Sequence, residues 1–275
     1  MNTVDVINGI ADRAKANNPP KPEDYTGEDG LLRCGVCHEP KECPIDVDGK
    51  TLIVRCLCRC GVEARKKAAE EEQRKHTEER RAEWMKGYEA MTFAKSTGNP
   101  TMATAERMVD RWDRILENRV SFTLSGGVGC GKTYAAASIA NEILSRGYRV
   151  WVVSTSELLN RLFSSPDVVA NRLETFELVV LDDFGAERDT EYAAEKMFWV
   201  IDTRLRTGLP TIITTNLDIN AAAPSLTYER IFSRLRGDAP QYRCRGEDMR
   251  AGRGNEKRKI ANEILKGLKG SNNHE

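Results

Sequence analysis

From residue 101 onward, apolar positions recur at helical spacing and then gather into short continuous runs. Met108, Trp112, Ile115 and Leu116 share one helix face. Val120–Ser125 reads as a strand, followed by a helix from Lys132 to about Ser145 and a second strand at Arg149–Ser154. Ser154 and Glu157 make the S-x-x-E signature of a helix start ahead of Leu158, Leu159 and Leu162. Leu178–Leu181 is an unbroken apolar run, as in a strand buried on both faces. Glu191–Arg206 predicts a further helix and Thr211–Thr215 a fourth strand. Strands alternating with helices predict a parallel sheet covered by helices, an α/β fold.

The first hundred residues follow no such alternation. Val4, Ile7 and Ile10 space like one or two helical turns, and the Pro-, Gly- and acid-rich stretch Asn17–Gly30 predicts a linker. Leu52, Ile53 and Val54 form a short strand signal. Residues 62–86 then contain Glu, Lys, Arg and Ala without Gly or Pro, and the pairs Glu63–Lys67, Glu70–Arg74 and Glu71–Lys75 stand at i,i+4 spacing. A helix of that length reaches about 37 Å. With so few apolar positions it bridges two bodies and packs little. Gly87 and then Gly98-Asn99-Pro100 end it and its continuation. The organisation expected is an N-terminal segment and linker at 1–30, a small module at 31–61, a charged connecting helix at 62–87, an α/β domain at 88–250 and a basic tail at 251–275.

Composition narrows the function classes. The 275 residues carry 42 basic and 42 acidic side chains, so no global charge draws the chain to nucleic acid. No apolar run approaches the roughly 20 residues that span a bilayer, and no signal-peptide plan opens the sequence. The expectation is a cytoplasmic protein with no membrane partner.

Of eight cysteines, six lie between residues 34 and 60, while Cys130 and Cys244 stand apart. In a cytosolic chain such a cluster points to a metal before it points to disulfides. Cys34-Gly-Val-Cys37 offers two ligands, and Cys56-Leu-Cys58-Arg-Cys60 offers three candidates for the other two of a tetrahedral Zn²⁺ site. The favoured set is Cys34, Cys37, Cys58 and Cys60, with Cys56 as the substitute and Cys43 and His38 nearby. Free thiols and an iron–sulfur cluster are the competing readings. A module this small would draw its folding free energy from the metal.

The strand ending at Ser125 runs into Gly126, Gly127, Val128, Gly129, Cys130, Gly131, Lys132 and Thr133, which satisfies G-x-x-x-x-G-K-[ST] between a strand and a helix. Glycines let successive N–H groups turn inward and cradle phosphates. Lys132 is placed for the β- and γ-phosphates of ATP and the Thr133 hydroxyl for Mg²⁺. The buried strand Leu178–Leu181 ends in Asp182 and Asp183, the first placed to hold Mg²⁺ through water and the second to orient or deprotonate the attacking water. Asn216 closes the fourth strand, either as an amide that holds the lytic water or touches the γ-phosphate, or as a helix cap. Arg230 and Arg234 share a helix face, and an arginine offered to a neighbour's γ-phosphate would act as an arginine finger; the alternative is a solvated face.

The order P-loop, Leu181-Asp182-Asp183-Phe184-Gly185-Ala186-Glu187, Thr215-Asn216 and Glu229-Arg230-x3-Arg234-Leu235 resembles the AAA+ helicase loaders of the bacterial DnaC/DnaI type, over roughly residues 90–250 and including Thr92-Phe93. The resemblance implies a five-stranded parallel sheet in the order 5-1-4-3-2 and ATP bound between subunits of a ring or spiral. It implies sensor 1 at Asn216 and an arginine finger at Arg234, with Arg230 as neighbouring alternative. Several such loaders carry an N-terminal cysteine-rich domain that docks on the helicase. AAA+ proteins usually have Glu where this chain has Asp183, and the shorter side chain predicts slow, regulatory turnover.

The function expected is an ATP-controlled loader that places a hexameric DnaB-type replicative helicase on single-stranded DNA. The alternative is an IstB-like helper of a DNA transposase. A third reading is a zinc-containing adaptor that binds nucleotide without hydrolysis, against which the intact Lys132, Thr133, Asp182 and Asp183 stand. Candidate DNA contacts are Arg161, Arg172, Arg204 and Arg206, and Arg250, Arg253, Lys257, Arg258 and Lys259 of the tail, each also readable as a solvated face.

Overall fold

The computed structural model describes residues 3–47, 49–96, 100–186, 190–246 and 257–265. Two compact units divide the chain, Met1–His76 and Thr77–Glu275. No helix among the described residues is long and apolar enough to cross a membrane.

The first unit opens with α1 (Thr3–Asn17), longer than the turn or two its three apolar residues predict. A two-residue ladder pairs β1 (Tyr25–Thr26) with β2 (Leu32–Arg33), and a hairpin joins β3 (Glu42–Val47) to β4 (Lys50–Arg55) in antiparallel register from Glu42↔Arg55 to Val47↔Lys50. Helix α1 lies against β4, and the Asn18 side chain donates to the Cys56 carbonyl at 2.8 Å. The stretch read as a linker takes part in this unit: the Asp24 carboxylate pairs with Lys41 and accepts from the Lys21 and Gly35 amides. Cys43 and Cys56 form a disulfide, with Cα atoms 6.2 Å apart. Among the described residues of this unit, only Cys34, Cys58 and Lys41 are buried.

Helix α2 (Arg59–Trp84) starts in the first unit and ends in the second, buries no residue, and carries exposed pairs such as Arg74–Glu71. Its charge pattern and lack of an apolar stripe produce this.

The second unit is the α/β body. Helices α3 (Pro100–Asp110) and α4 (Trp112–Glu117) precede β5 (Phe122–Ser125), α5 (Lys132–Ser145) and β6 (Val150–Ser154). There follow α6 (Thr155–Ser164), α7 (Pro166–Thr175), β7 (Leu178–Phe184), α8 (Glu191–Thr207), β8 (Thr211–Thr215), α9 (Leu226–Asp238) and β9 (Gln241–Arg243). The sheet order is β6-β7-β8-β5-β9, every pair parallel. Numbered within this body the order is 2-3-4-1-5, the expected 5-1-4-3-2 seen from the other edge.

Alternation along each strand divides the core into two layers. Val150, Val152, Leu178, Val180 and Ile212 face α3, α4 and α5. Their neighbours Trp151, Val153, Val179, Leu181 and Ile213 face α6 to α9. The Ser154 hydroxyl accepts from the Glu157 amide at 3.2 Å, which starts α6. The Glu157 side chain binds Arg161 rather than reaching back, so only one arm of the expected capping box forms. Residues 257–265 form an exposed helix that includes Lys257, Arg258 and Lys259. Gly98 and Asn99 of the expected helix stop, Glu187 of the resemblance, and Arg250 and Arg253 of the tail lie outside the described residues.

Candidate nucleotide site and thiol cluster

Strands β5, β7 and β8 are neighbours in the sheet, so their C-terminal ends bring together residues that stand far apart in sequence. The loop after β5 needs its glycines. Gly126 has φ +148° and Gly131 +91°, and a Cβ on Gly126 would lie 2.6 Å from the Cys244 carbonyl oxygen and 3.0 Å from Cys130 Sγ. The two cysteines that stand apart in sequence, Cys130 and Cys244, are thus buried around the first glycine of the loop. Gly131 takes the left-handed conformation at the head of α5, whose first residues are Lys132 and Thr133.

The Lys132 ammonium is buried and donates to the carbonyls of Gly126 and Gly127, both at 2.9 Å, and to Asn216 Oδ1 at 2.8 Å. Lys132 and Asn216, 84 residues apart, therefore meet directly. Asp182 is buried at the end of β7 and Asp183 is exposed. Here the register of β7 against β8 shifts between Leu181 and Phe184, and Asp183 takes φ +61°, a conformation Asp tolerates better than most side chains.

Two residues that the sequence reading did not single out organise these carboxylates. The Thr214 hydroxyl donates to Asp182 Oδ1 at 2.6 Å and accepts from the Asp183 amide at 2.9 Å, so it fixes the Asp182 carboxylate and the Asp183 backbone at once. The Tyr88 hydroxyl donates to Asp182 Oδ2 at 3.1 Å. Burial, followed by the Asp182 charge, pushes the Tyr88 phenol well above its ordinary value, which keeps it a donor. Thr214 is one of three threonines in β8 and Tyr88 lies 94 residues before Asp182, so no local pattern picks out either.

Arg234 and Arg230 turn toward α8. Arg234, half-exposed, pairs with Asp202 at 2.8 Å, and the Arg230 guanidinium lies 4.3 Å from the centre of the Phe198 ring.

The arginines named for DNA separate sharply. Arg204 is fully buried and donates to Thr211 Oγ1 and to the carbonyls of Leu173, Glu177 and Pro210. Burial lowers its guanidinium to about 9. Arg204 is a structural residue and not a DNA contact, because a fully buried guanidinium held by four acceptors cannot reach a phosphate outside. Arg172 is almost as enclosed, stacked near Trp151 and Phe176 and paired with Glu83. Arg161 and Arg206 stay accessible, paired with Glu157 and Asp202.

In the first unit the sulfurs of Cys34, Cys37, Cys58 and Cys60 lie within 4.8 Å of one another. Cys34 and Cys58 approach Cys60 to 3.4 and 3.3 Å, near the ~3.8 Å edge of a tetrahedron with 2.3 Å metal–sulfur bonds. Amide N–H groups of Cys37 and then Val36 point at Cys34 Sγ and lower its thiol to about 6. The sulfurs of Cys58, Cys34 and Cys37 push the Cys60 thiol up, as expected of four thiols that need a cation to ionise together. Cys56, the substitute ligand, is bonded to Cys43. The donor set suits Zn²⁺.

The pattern of the IstB-like ATP binding protein family matches residues 64–239. The chain belongs to that family. Over 142 residues it is 28% identical to the replicative helicase loader DnaC of Escherichia coli K12, a match covering 49% of this chain and 56% of that protein. Over 129 residues it is 30% identical to the uncharacterized protein YdaV of the same organism, covering 45% and 52%. The chain thus spans about half the length of the curated relatives it matches. Among solved structures, the DnaC helicase loader aligns with a TM-score of 0.49 and 22% identity over 58% of this chain and 99% of that one. DnaI aligns with a TM-score of 0.48 and 23% identity over 58% and 91%. The family is ATP-binding, and the matched region takes in all of Gly126–Asn216.

Proposed function

We propose that this chain is an ATP-switched helicase loader. Its first unit, closed by Zn²⁺ on Cys34, Cys37, Cys58 and Cys60, grips a hexameric DnaB-type replicative helicase. Its second unit helps place that helicase on single-stranded DNA. The carrying observation is the meeting of Lys132, Asn216, Asp182 and Thr214 at the ends of adjacent strands, with a thiol cluster that precedes the family region at 64–239. Similarity to the replicative helicase loader DnaC supports the choice of partner.

In this reading the amides of Gly126–Gly131 and the head of α5 take the phosphates. Phosphate oxygens take over some of the bonds that Lys132 makes to Gly126 and Gly127. Thr133 and Asp182 hold Mg²⁺, which screens phosphate charge; Asp183 orients the attacking water; and Asn216 reports on the γ-phosphate through Lys132. Arg234, half-exposed and paired with Asp202, exchanges that partner to serve a second copy's site in a ring or spiral, with Arg230, stacked on Phe198, as the neighbouring alternative. Because Asp183 is one methylene shorter than Glu, turnover is slow and the ATP state acts as a timer; a kcat at the level of a motor ATPase would contradict this.

Single-stranded DNA has a chemically suited surface on the same unit. Phe163 and Tyr192 are 77% and 50% exposed with ring centres 5.9 Å apart, and Lys196 lies 5.4 Å from the Tyr192 ring. Exposed aromatics beside a cation stack bases with little regard to sequence. Binding should be weak and should fall with salt.

A second reading, an IstB-like helper of a DNA transposase, agrees with the family's name, IstB-like ATP binding protein. A pull-down with the host's replicative helicase, wild type beside Cys34→Ser/Cys37→Ser, separates the two. Capture by wild type and its loss in the double variant is the loader result. Capture by neither removes the main support for a loader and makes a transposase the next partner to test.

A further inference from the structure

The turn that follows α2 is bound to the nucleotide site at an atom the site needs. Asp182 has two oxygens: Oδ1 is committed inside the sheet to Thr214 at 2.6 Å, and Oδ2 accepts from Tyr88 at 3.1 Å. A hydrated cation that approaches Asp182 on the side away from Thr214 meets Oδ2, the oxygen that Tyr88 holds. The turn itself is fastened to α5. The Asn141 side chain donates to the Tyr88 carbonyl at 3.1 Å and the Met91 carbonyl at 2.9 Å, and Met85 is fully buried. The last turns of α2 run straight into it. Arg81 donates to Ser145 on α5, Glu83 pairs with Arg172, and Trp84 packs edge-on against Phe176. Helix α5 thus carries Lys132 and Thr133 at one end and the anchor of the turn along its length.

We propose that Tyr88 is a positioning residue through which the site is coupled to α2: its hydroxyl and Mg²⁺·nucleotide compete for Asp182 Oδ2, so loading the site loosens the turn Met85–Met91. The proposal rests on the nucleotide-site reading above and adds a route by which the nucleotide state reaches the connecting helix. Coupling of this kind is reciprocal. Whatever Mg²⁺·nucleotide takes from the Tyr88 bond, that bond takes from Mg²⁺·nucleotide. A hydrogen bond to a charged group is strong enough that deleting the hydroxyl should lower the Mg²⁺ midpoint for nucleotide binding roughly tenfold or more. The phenyl ring is kept in Tyr88→Phe, so packing is preserved.

The test uses the full chain as wild type, Tyr88→Phe and Asn141→Ala. It reads amide hydrogen exchange across residues 84–91, and Mg²⁺ titrations of a fluorescent ATP analogue. In wild type, exchange in the turn should speed up with Mg²⁺ and nucleotide together, and not with nucleotide alone. In Tyr88→Phe the turn should exchange fast in every state, and the Mg²⁺ midpoint should fall. Asn141→Ala loosens the turn without touching Oδ2, so it should speed exchange with a much smaller change in midpoint. The proposal is overturned if the wild-type turn ignores Mg²⁺ or tightens with it. It is equally overturned if Tyr88→Phe leaves the midpoint unchanged or raises it, or if Asn141→Ala raises the midpoint. Failure of the wild type to bind the analogue any better than Lys132→Ala would remove the nucleotide-site reading itself and this proposal with it. Binding without a Tyr88 response would remove the proposal alone.

Discussion

The two units of this chain are held together by different chemistry. In Thr77–Glu275, the strands bury large aliphatic and aromatic side chains on both faces of one sheet, and stability follows from apolar area removed from water. In Met1–His76 the described buried residues are two cysteines and a lysine. That unit is closed by four converging sulfurs, a disulfide and an enclosed Asp24–Lys41 pair. A body built on hydrocarbon tolerates loss of any one contact. One built on a four-thiol cluster has a single point of failure, and that point depends on metal and redox conditions outside the chain.

Metal removal should separate the units most widely. Stripping Zn²⁺ with a chelator, or Cys34→Ser, should abolish amide protection throughout residues 3–76, since structural zinc is worth on the order of 10 kcal/mol to a small module. The melting of the α/β body should stay put. Protection that persists after complete metal loss would mean that the disulfide and ion pair suffice.

The converse experiment is a cavity in the sheet. Leu181 is fully buried in β7, and Leu181→Ala should destabilise the second unit by about 2–5 kcal/mol. Bound zinc, measured by atomic emission, should be unchanged. Zinc loss here would show that the units fold as one.

A smaller effect is expected at the phosphate loop. Lys132→Ala removes a charged donor, and nucleotide affinity should fall about 10- to 100-fold in a fluorescence titration. Helicase capture through the first unit should survive in the absence of nucleotide. Near-wild-type nucleotide affinity would dismiss Lys132 as a phosphate ligand.

The smallest is the cap of α6. Ser154→Ala removes the bond that caps the start of α6 and should cost about 1 kcal/mol, a few degrees in the melting of the second unit alone. No change would mean that packing of Leu158 already fixes the helix start.

Legibility followed the same division. In the second unit, period 2 on the strands and period 3.6 on the helices are enforced by the core, so α5 and β8 fall at Lys132–Ser145 and Thr211–Thr215 as the pattern predicts. The phosphate loop was readable because its glycines answer a backbone demand within eight consecutive residues. In the first unit little was readable, because no core imposes a period. A Pro- and Gly-rich stretch looks the same whether it is a linker or is tied down by Asp24 to a lysine 17 positions on. The choice among Cys56, Cys58 and Cys60 was likewise open in sequence; the β3–β4 hairpin turns Cys56 to Cys43 and leaves the other two to Cys34 and Cys37.

The sequence by itself determined four strands of the sheet and the identity of the groups at their ends, because each depends on short-range pattern and on a motif of contiguous residues; the fifth strand and the strand order came by resemblance. Tertiary structure alone decided that Arg204 is wrapped in backbone carbonyls, that Thr214 bridges two aspartates and that Tyr88 reaches Asp182. Side-chain partners 6 to 94 residues apart are chosen by how layers stack and where turns land, and neither is written in the spacing of any one segment.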